Sequence, residues 1–165
     1  MSVSATLCSF LKNKGCSYDT IKHDYSFTSL DSAHRASIPV TQMAKAVVIH
    51  QKNKFTLAAV PAMNKVMLPQ LAAITGSPAR LAKEAEIKRI FGDCEEGAIP
   101  AIGQAYGLDV VWDDRLTEAD DIYIEAGDHQ NLIHLKRQQF QNLMKNKQHG
   151  EISCAPEELY DLSHY

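Results

Sequence analysis

The run from Phe91 to Leu108, FGDCEEGAIPAIGQAYGL, limits what this chain can fold into more than any other stretch. Gly92, Gly97, Gly103 and Gly107 supply positions with no Cβ, and Pro100 among them locks one φ angle. A polar cluster, Asp93, Glu95 and Glu96, precedes the apolar core GAIPAIG. The pattern describes an exposed turn leading into a loop that lets other groups approach the backbone. Two readings follow: a structural connection between helix and strand, or the wall of a pocket. Glycine spacing alone does not separate them.

A chain of 165 residues, 45% hydrophobic and 22% charged, is long enough for one substantial core and short for two domains. We expect one domain over 1–150, followed by an acidic, aromatic tail over 151–165. No apolar run approaches the roughly 20 residues that span a bilayer, and the amino terminus lacks a basic region followed by a long hydrophobic stretch. The expected location is the cytoplasm, without a membrane partner. Cys8, Cys16, Cys94 and Cys154 form no CxxC pair, so structural thiols are expected rather than a metal site. A net charge of −3 argues against a general nucleic-acid coat and against DNA as a partner. It leaves room for a local basic face holding one end of an RNA.

The periodicities predict a helix from Ser4 to Lys14, a strand from Tyr18 to His23, and a helix from about Leu30 to Ser37 opened by the Thr28-x-x-Asp31 spacing. A hairpin pairs Ala44–His50 with Phe55–Val60, a helix covers Leu68 to Thr75, and a short strand covers Ala79 to Ala82. A charged helix, Lys83 to Phe91, leads into the glycine-rich run. Strands follow at Asp109–Trp112, Ile122–Glu125 and Leu132–Leu135, then a helix at Arg137–Lys147, with Gly150 ending the ordered part. Strands and helices without strict alternation point to an α+β fold: a mixed, mainly antiparallel twisted sheet with helices packed around it.

Most catalytic signatures are missing: GxSxG, GxxxxGK[ST], HExxH and GxGxxG after a strand do not occur. Seven histidines fall at no recognised ligand spacing, so no metal and no cofactor are expected. Cys94 beside the glycine run is a candidate nucleophile only if a base stands within reach. The anomaly of the first half is Lys45, a lysine at the head of an apolar strand, placed either inside the fold or at a strand end where its stem snorkels to water. One lysine, a loop of close backbone amides and a few histidines can position a polar substrate and stabilise developing charge without a protein nucleophile.

AKAVVI at 44–49, DCEEGAIPAIGQAYGL at 93–108 and AGDH at 126–129 resemble, in order and separation, the YbaK/ProX-like family. That family comprises the editing domain of bacterial prolyl-tRNA synthetases and free-standing aminoacyl-tRNA deacylases. The likeness runs from about Tyr18 to Leu143, and it implies a free-standing, trans-acting hydrolase of a small amino acid wrongly attached to tRNA, most of all tRNA for proline. By resemblance, Lys45 helps hold the 3′-terminal adenosine and the ester-linked amino acid, and Gly97 orients the reacting ester and water. Ala98, Ile99, Pro100, Ala101 and Gly103 complete the loop lining the aminoacyl pocket. His23, His34 and His129 fall in segments that border it. The implied partners are the 3′ end of aminoacyl-tRNA and prolyl-tRNA synthetase. Many relatives carry two consecutive prolines where this chain reads Pro100-Ala101, a change expected to reshape the pocket. The competing expectation is a module of the same fold that binds tRNA or a synthetase without turnover.

Overall fold

A computed structural model of the chain describes residues 2–156. The helices are α1 (Ala5–Asn13), α2 (Ser29–Arg35), α3 (Leu68–Thr75), α4 (Glu84–Ile90) and α5 (Arg137–Leu143). The strands are β1 (Asp19–Lys22), β2 (Ala44–Gln51), β3 (Lys54–Pro61), β4 (Lys65–Val66), β5 (Arg80–Leu81), β6 (Asp109–Asp113), β7 (Asp121–Glu125), β8 (Asn131–Lys136), β9 (Gln148–Gly150) and β10 (Ser153–Cys154).

Local chemistry sets the boundaries. The Ser4 hydroxyl accepts from the Leu7 N–H at 3.1 Å to start α1. Thr28 does the same for Asp31, whose carboxylate reaches back to the Phe27 N–H, so α2 opens on a reciprocal cap. Pro69 sits in the first turn of α3, and Gly76 closes it in the left-handed region. Lys52 and Asn53, at φ 44 and 61, form the two-residue turn whose twist suits the β2–β3 hairpin.

Among the described residues the strands divide into three sheets, in the orders β5-β2-β3-β6-β9, β1-β8-β7 and β10-β4. β3–β6 and β6–β9 are parallel and the other pairs antiparallel, which makes the arrangement mixed and mainly antiparallel, as expected. A single parallel bridge ties Met43, the residue before β2, to Tyr123 of β7. The main core gathers Leu7 and Leu11 of α1, Phe91, Phe140 and the inward residues of β7 and β8. The opposite face of the larger sheet packs Ile49, Val60 and Val111 against Leu71 of α3. Beneath α2 a third cluster joins Ala33, Met43 and Leu132.

Two expectations change. The last helix stops at Leu143, and the chain then enters β9, parallel to β6. Order also continues beyond Gly150. The buried Asp113 carboxylate accepts from the Ile152 N–H at 3.1 Å and from the Ser153 hydroxyl at 2.7 Å, while the Ile152 carbonyl accepts from Met67 at 2.7 Å. A buried carboxylate needs such donors, and the segment after Gly150 supplies them. The rest of the expected tail, 157–165, lies outside the described residues. Ile152 is fully buried, so Ile152→Ala is expected to lower stability by about 2–4 kcal/mol in urea unfolding; an unchanged midpoint would mean the segment does not belong to the core.

Candidate active site

The glycine-rich loop begins where α4 ends, and three contacts fix its start. Asp93 accepts from the Ser4 hydroxyl at 2.8 Å, from the Thr6 N–H at 3.0 Å and from the Tyr106 hydroxyl at 2.8 Å. Burial pushes the Asp93 carboxyl up, but these bonds outweigh it and hold the group well below the usual carboxylate range. The Ser4 N–H bonds the Ala126 carbonyl and the Glu95 N–H bonds the Gly127 carbonyl, each at 2.8 Å. Helix α1, the loop and the β7–β8 turn are thereby fastened together. Gly127, at φ 100, leaves little space for a side chain, since a Cβ would stand 3.2 Å from the Cys94 sulfur. Burial raises the Cys94 thiol to about 11, so it stays protonated at neutral pH and is not a nucleophile.

Gly97 follows in the left-handed region at φ 84, where a Cβ would meet the Phe27 carbonyl at 3.2 Å and His129 Cε1 at 3.3 Å. His129 also holds a left-handed backbone, φ 62, in the β7–β8 turn. Its Nε2 lies 2.5 Å from the Glu96 carbonyl, and a carbonyl only accepts, so Nε2 carries the proton. Nδ1 is then a lone-pair acceptor, and it is buried without a protein partner. The Gly97 N–H likewise has no intramolecular acceptor among the described residues.

Two adjoining clefts meet here. One, of about 250 Å³, is walled by Gly97, Ile99, Ser29 and the Ala46–Val48 stretch of β2. The other, of about 480 Å³, is lined by His129, Tyr25, Phe91 and Cys94 and shares Glu84, Ile87 and Ile99 with the first. On the outer edge of β2, Met43 just before the strand bridges to β7, Ile49 and His50 pair with β5, and the Val48 carbonyl accepts from the Ala82 N–H, so the edge between Met43 and Val48 is left beside the cleft.

The expected site residues separate accordingly. Gly97, Ile99 and His129 come together at the clefts. Lys45 stands next to Ala46, half-buried; burial lowers its pKa, and the Lys65 ammonium adds to the effect. It takes neither extreme foreseen for it. Ala98, Pro100, Ala101 and Gly103 are buried, Ala101 in the main core. A Cβ on Gly103 would lie 2.7 Å from Leu57 Cβ, so that glycine serves strand packing. The missing second proline therefore alters core volume behind the loop rather than the cleft wall. His23 is buried and bonds the Asp24 carbonyl through Nδ1 at 2.6 Å, outside both clefts, and His34 is exposed on α2.

The sequence matches the model of the aminoacyl-tRNA editing domain over residues 23–143. The chain belongs to this family. Among curated proteins no sequence matches significantly. Among solved structures, the editing domain is similar to a candidate trans-editing enzyme for prolyl tRNA synthetase: TM-score 0.79, 19% identity, 93% of this chain and 100% of the other covered. It is also similar to the hypothetical protein APE2540, at TM-score 0.79 and 15% identity, covering 90% of this chain and 99% of that one. A candidate signal transduction protein from Marinobacter aquaeolei VT8 contains the same fold within a longer chain: TM-score 0.73, 15% identity, 92% of this chain against 31% of that one. At these identities the likeness concerns the fold.

No helix among the described residues is long and apolar enough to cross a membrane. Nor does any group of three or more His, Cys, Asp or Glu among them suit a metal ion.

One further group was not singled out by its sequence context. Glu125, the last residue of β7, is 1% exposed, and neither carboxylate oxygen has a hydrogen-bond partner. Burial raises its pKa from 4.5 to about 7; the nearby Ser32 hydroxyl opposes the rise without forming a hydrogen bond, and the Asp128 carboxylate adds to it. In the editing domain this acid keeps its proton on folding while the unfolded chain ionises, so stability falls as pH rises from about 4.5 to about 7 and stays lower above that. Glu125→Gln is expected to flatten that fall and to be more stable than the native protein at about pH 8, by up to about 3 kcal/mol. Urea unfolding at both ends of the window checks it, and parallel curves would refute it.

Proposed function

We propose that this editing domain hydrolyses, in trans, the ester of a small amino acid wrongly attached to tRNA, with tRNA for proline as the main substrate and prolyl-tRNA synthetase as the associated partner in the cytoplasm. The observation that carries the reading is the packing of His129 against Gly97, each lining one of two adjoining clefts, with the Gly97 N–H left without an intramolecular acceptor among the described residues.

An aminoacyl ester is already activated, so positioning and charge stabilisation suffice. The Gly97 N–H is available to the oxygen on which charge develops. The Lys45 ammonium, half-desolvated and without an ion-pair partner among the described residues, supplies positive charge at the β2 edge. The His129 ring, held by the Glu96 carbonyl, sets the position of Gly97 at the cleft wall. The smaller cleft, with Ala46, Val47, Ala82 and Ile99 in its walls, receives the aminoacyl side chain. Such a second site complements synthetic pockets, which discriminate a missing methylene by only about 1–3 kcal/mol.

The test is deacylation of tRNA for proline charged with alanine, cysteine, serine, 2-aminobutyrate or proline. Release of one or two small amino acids is expected, with kcat/KM lowered roughly 100-fold or more in Lys45→Ala and in His129→Ala. Binding of all five without release from any would replace the hydrolase with a tRNA-binding module.

A further inference from the structure

We infer that Tyr25 and Phe27 form a stacking platform, at the mouth of the larger cleft, for the terminal nucleobase of the RNA. The inference rests on the reading of the two clefts as the site that takes the aminoacyl end of tRNA.

Three rings step outward from that site. His129 is buried, the Tyr25 ring lies 5.2 Å from the His129 ring and is 43% exposed, and the Phe27 ring lies 5.6 Å from Tyr25 and is 72% exposed. Phe27 is the most exposed large apolar side chain among the described residues, and it belongs to no core cluster. Folding gains nothing from a ring left in water. The backbone beneath it is nevertheless fixed on both sides. The Phe27 N–H donates to the Asp31 carboxylate at 3.1 Å, and the Phe27 carbonyl stands 3.2 Å from the position a Gly97 Cβ would take. Tyr25 is held through its hydroxyl, which donates to the Glu95 carboxylate at 3.3 Å. The two ring planes meet at 76°, so the pair makes a corner, with Tyr25 in the wall of the larger cleft. Rings carried on fixed backbone bind a flat group at little cost in conformational entropy.

The walls select the part of the RNA that enters. Glu84, Glu95 and Glu96 line the larger cleft against one ammonium, Lys88, so a phosphate is repelled there and an uncharged planar group is not. Nucleobases are the uncharged planar part of RNA, and stacking on aromatic side chains is a general way of holding single-stranded ends. The terminal base is the one whose own ribose carries the ester, so it lies within a ribose of Gly97 when the ester does. At about 480 Å³ the larger cleft has room for a nucleoside beside the cleft of about 250 Å³ that receives the amino acid.

The test uses a C-C-A trinucleotide carrying alanine through a non-hydrolysable amide, with 2-aminopurine in place of the terminal base. Stacking on a protein ring quenches that fluorophore. Quenching by the native protein is expected, and Phe27→Ala should weaken binding roughly fivefold to hundredfold. Phe27→Leu, which keeps apolar bulk without a ring, should bind as weakly as Phe27→Ala, and Phe27→Tyr should restore native binding. The side chain is exposed, so all three variants should keep the native urea midpoint; in deacylation the two weak binders should raise KM and leave kcat unchanged. A bound fluorophore as bright as the free one, or native affinity in Phe27→Leu, would overturn the inference, while shifts of the Gly97 amide in the same complex would leave the proposed site standing. Absence of any shift at Gly97 would overturn the proposed site, and the platform with it. Sedimentation tests the other occupant: a dimer of the native protein that Phe27→Ala dissolves would assign the rings to a second copy of the chain and overturn the inference.

Discussion

The bond from the His129 ring to the Glu96 carbonyl is the contact on which the site depends. It joins a turn between two strands to a loop that leaves a helix, and it decides which ring nitrogen carries the proton. Without it, Nδ1 would not be obliged to be an acceptor, and Gly97 would have no ring against which to be placed. The parallel bond from Glu95 to Gly127 shares the load. Both rest on backbone in the left-handed region, at Gly97, Gly127 and His129, and an added Cβ at either glycine would be strained by its φ and tight against its neighbours.

The second constraint is the open edge of β2. A strand paired along its whole length would have no free wall; here pairing is confined to Met43 at one end and, at the other, to Ile49, His50 and the Val48 carbonyl, which accepts from the Ala82 N–H. The intervening edge faces Gly97 and Ile99 across a small cleft of mixed polarity that also carries Ser29 and Glu84. Lys45 and Glu125 flank the splay between β2 and β7. Burial shifts each of them toward its neutral form, and the two do not pair. An ammonium and a carboxyl kept apart in this way remain available for other work, whereas a buried ion pair would neutralise both.

Much of this was legible in the residues. Helix ends marked by Ser4, Thr28, Pro69 and Gly76 fell where their chemistry placed them, because caps act locally. Lys45 and the glycine run stood out for similar reasons, one as a charge in an apolar strand and the other as missing side chains. The function of Gly103 was not legible, since its neighbour Leu57 is brought to it by sheet pairing. Likewise β4, β9 and β10 are too short to carry a period, and they form because Asp113 and Met67 need partners. Glu125 escaped notice although its signal matches that of Lys45: a charged residue closing an apolar strand. Its solvent exposure and the serines beside it depend on tertiary packing that a local pattern does not contain.

The central claim is that the junction of Gly97, Ile99 and His129 receives the aminoacyl end of tRNA. The most direct measurement is NMR mapping of a short 3′-terminal oligonucleotide carrying alanine through a non-hydrolysable amide. The account predicts that the largest shifts fall on the Gly97 and Ile99 amides and on the His129 ring, with Lys45 responding at the β2 edge. Shifts gathered instead around Lys14, Asn142 and Lys147, which line a separate polar cleft, would contradict it.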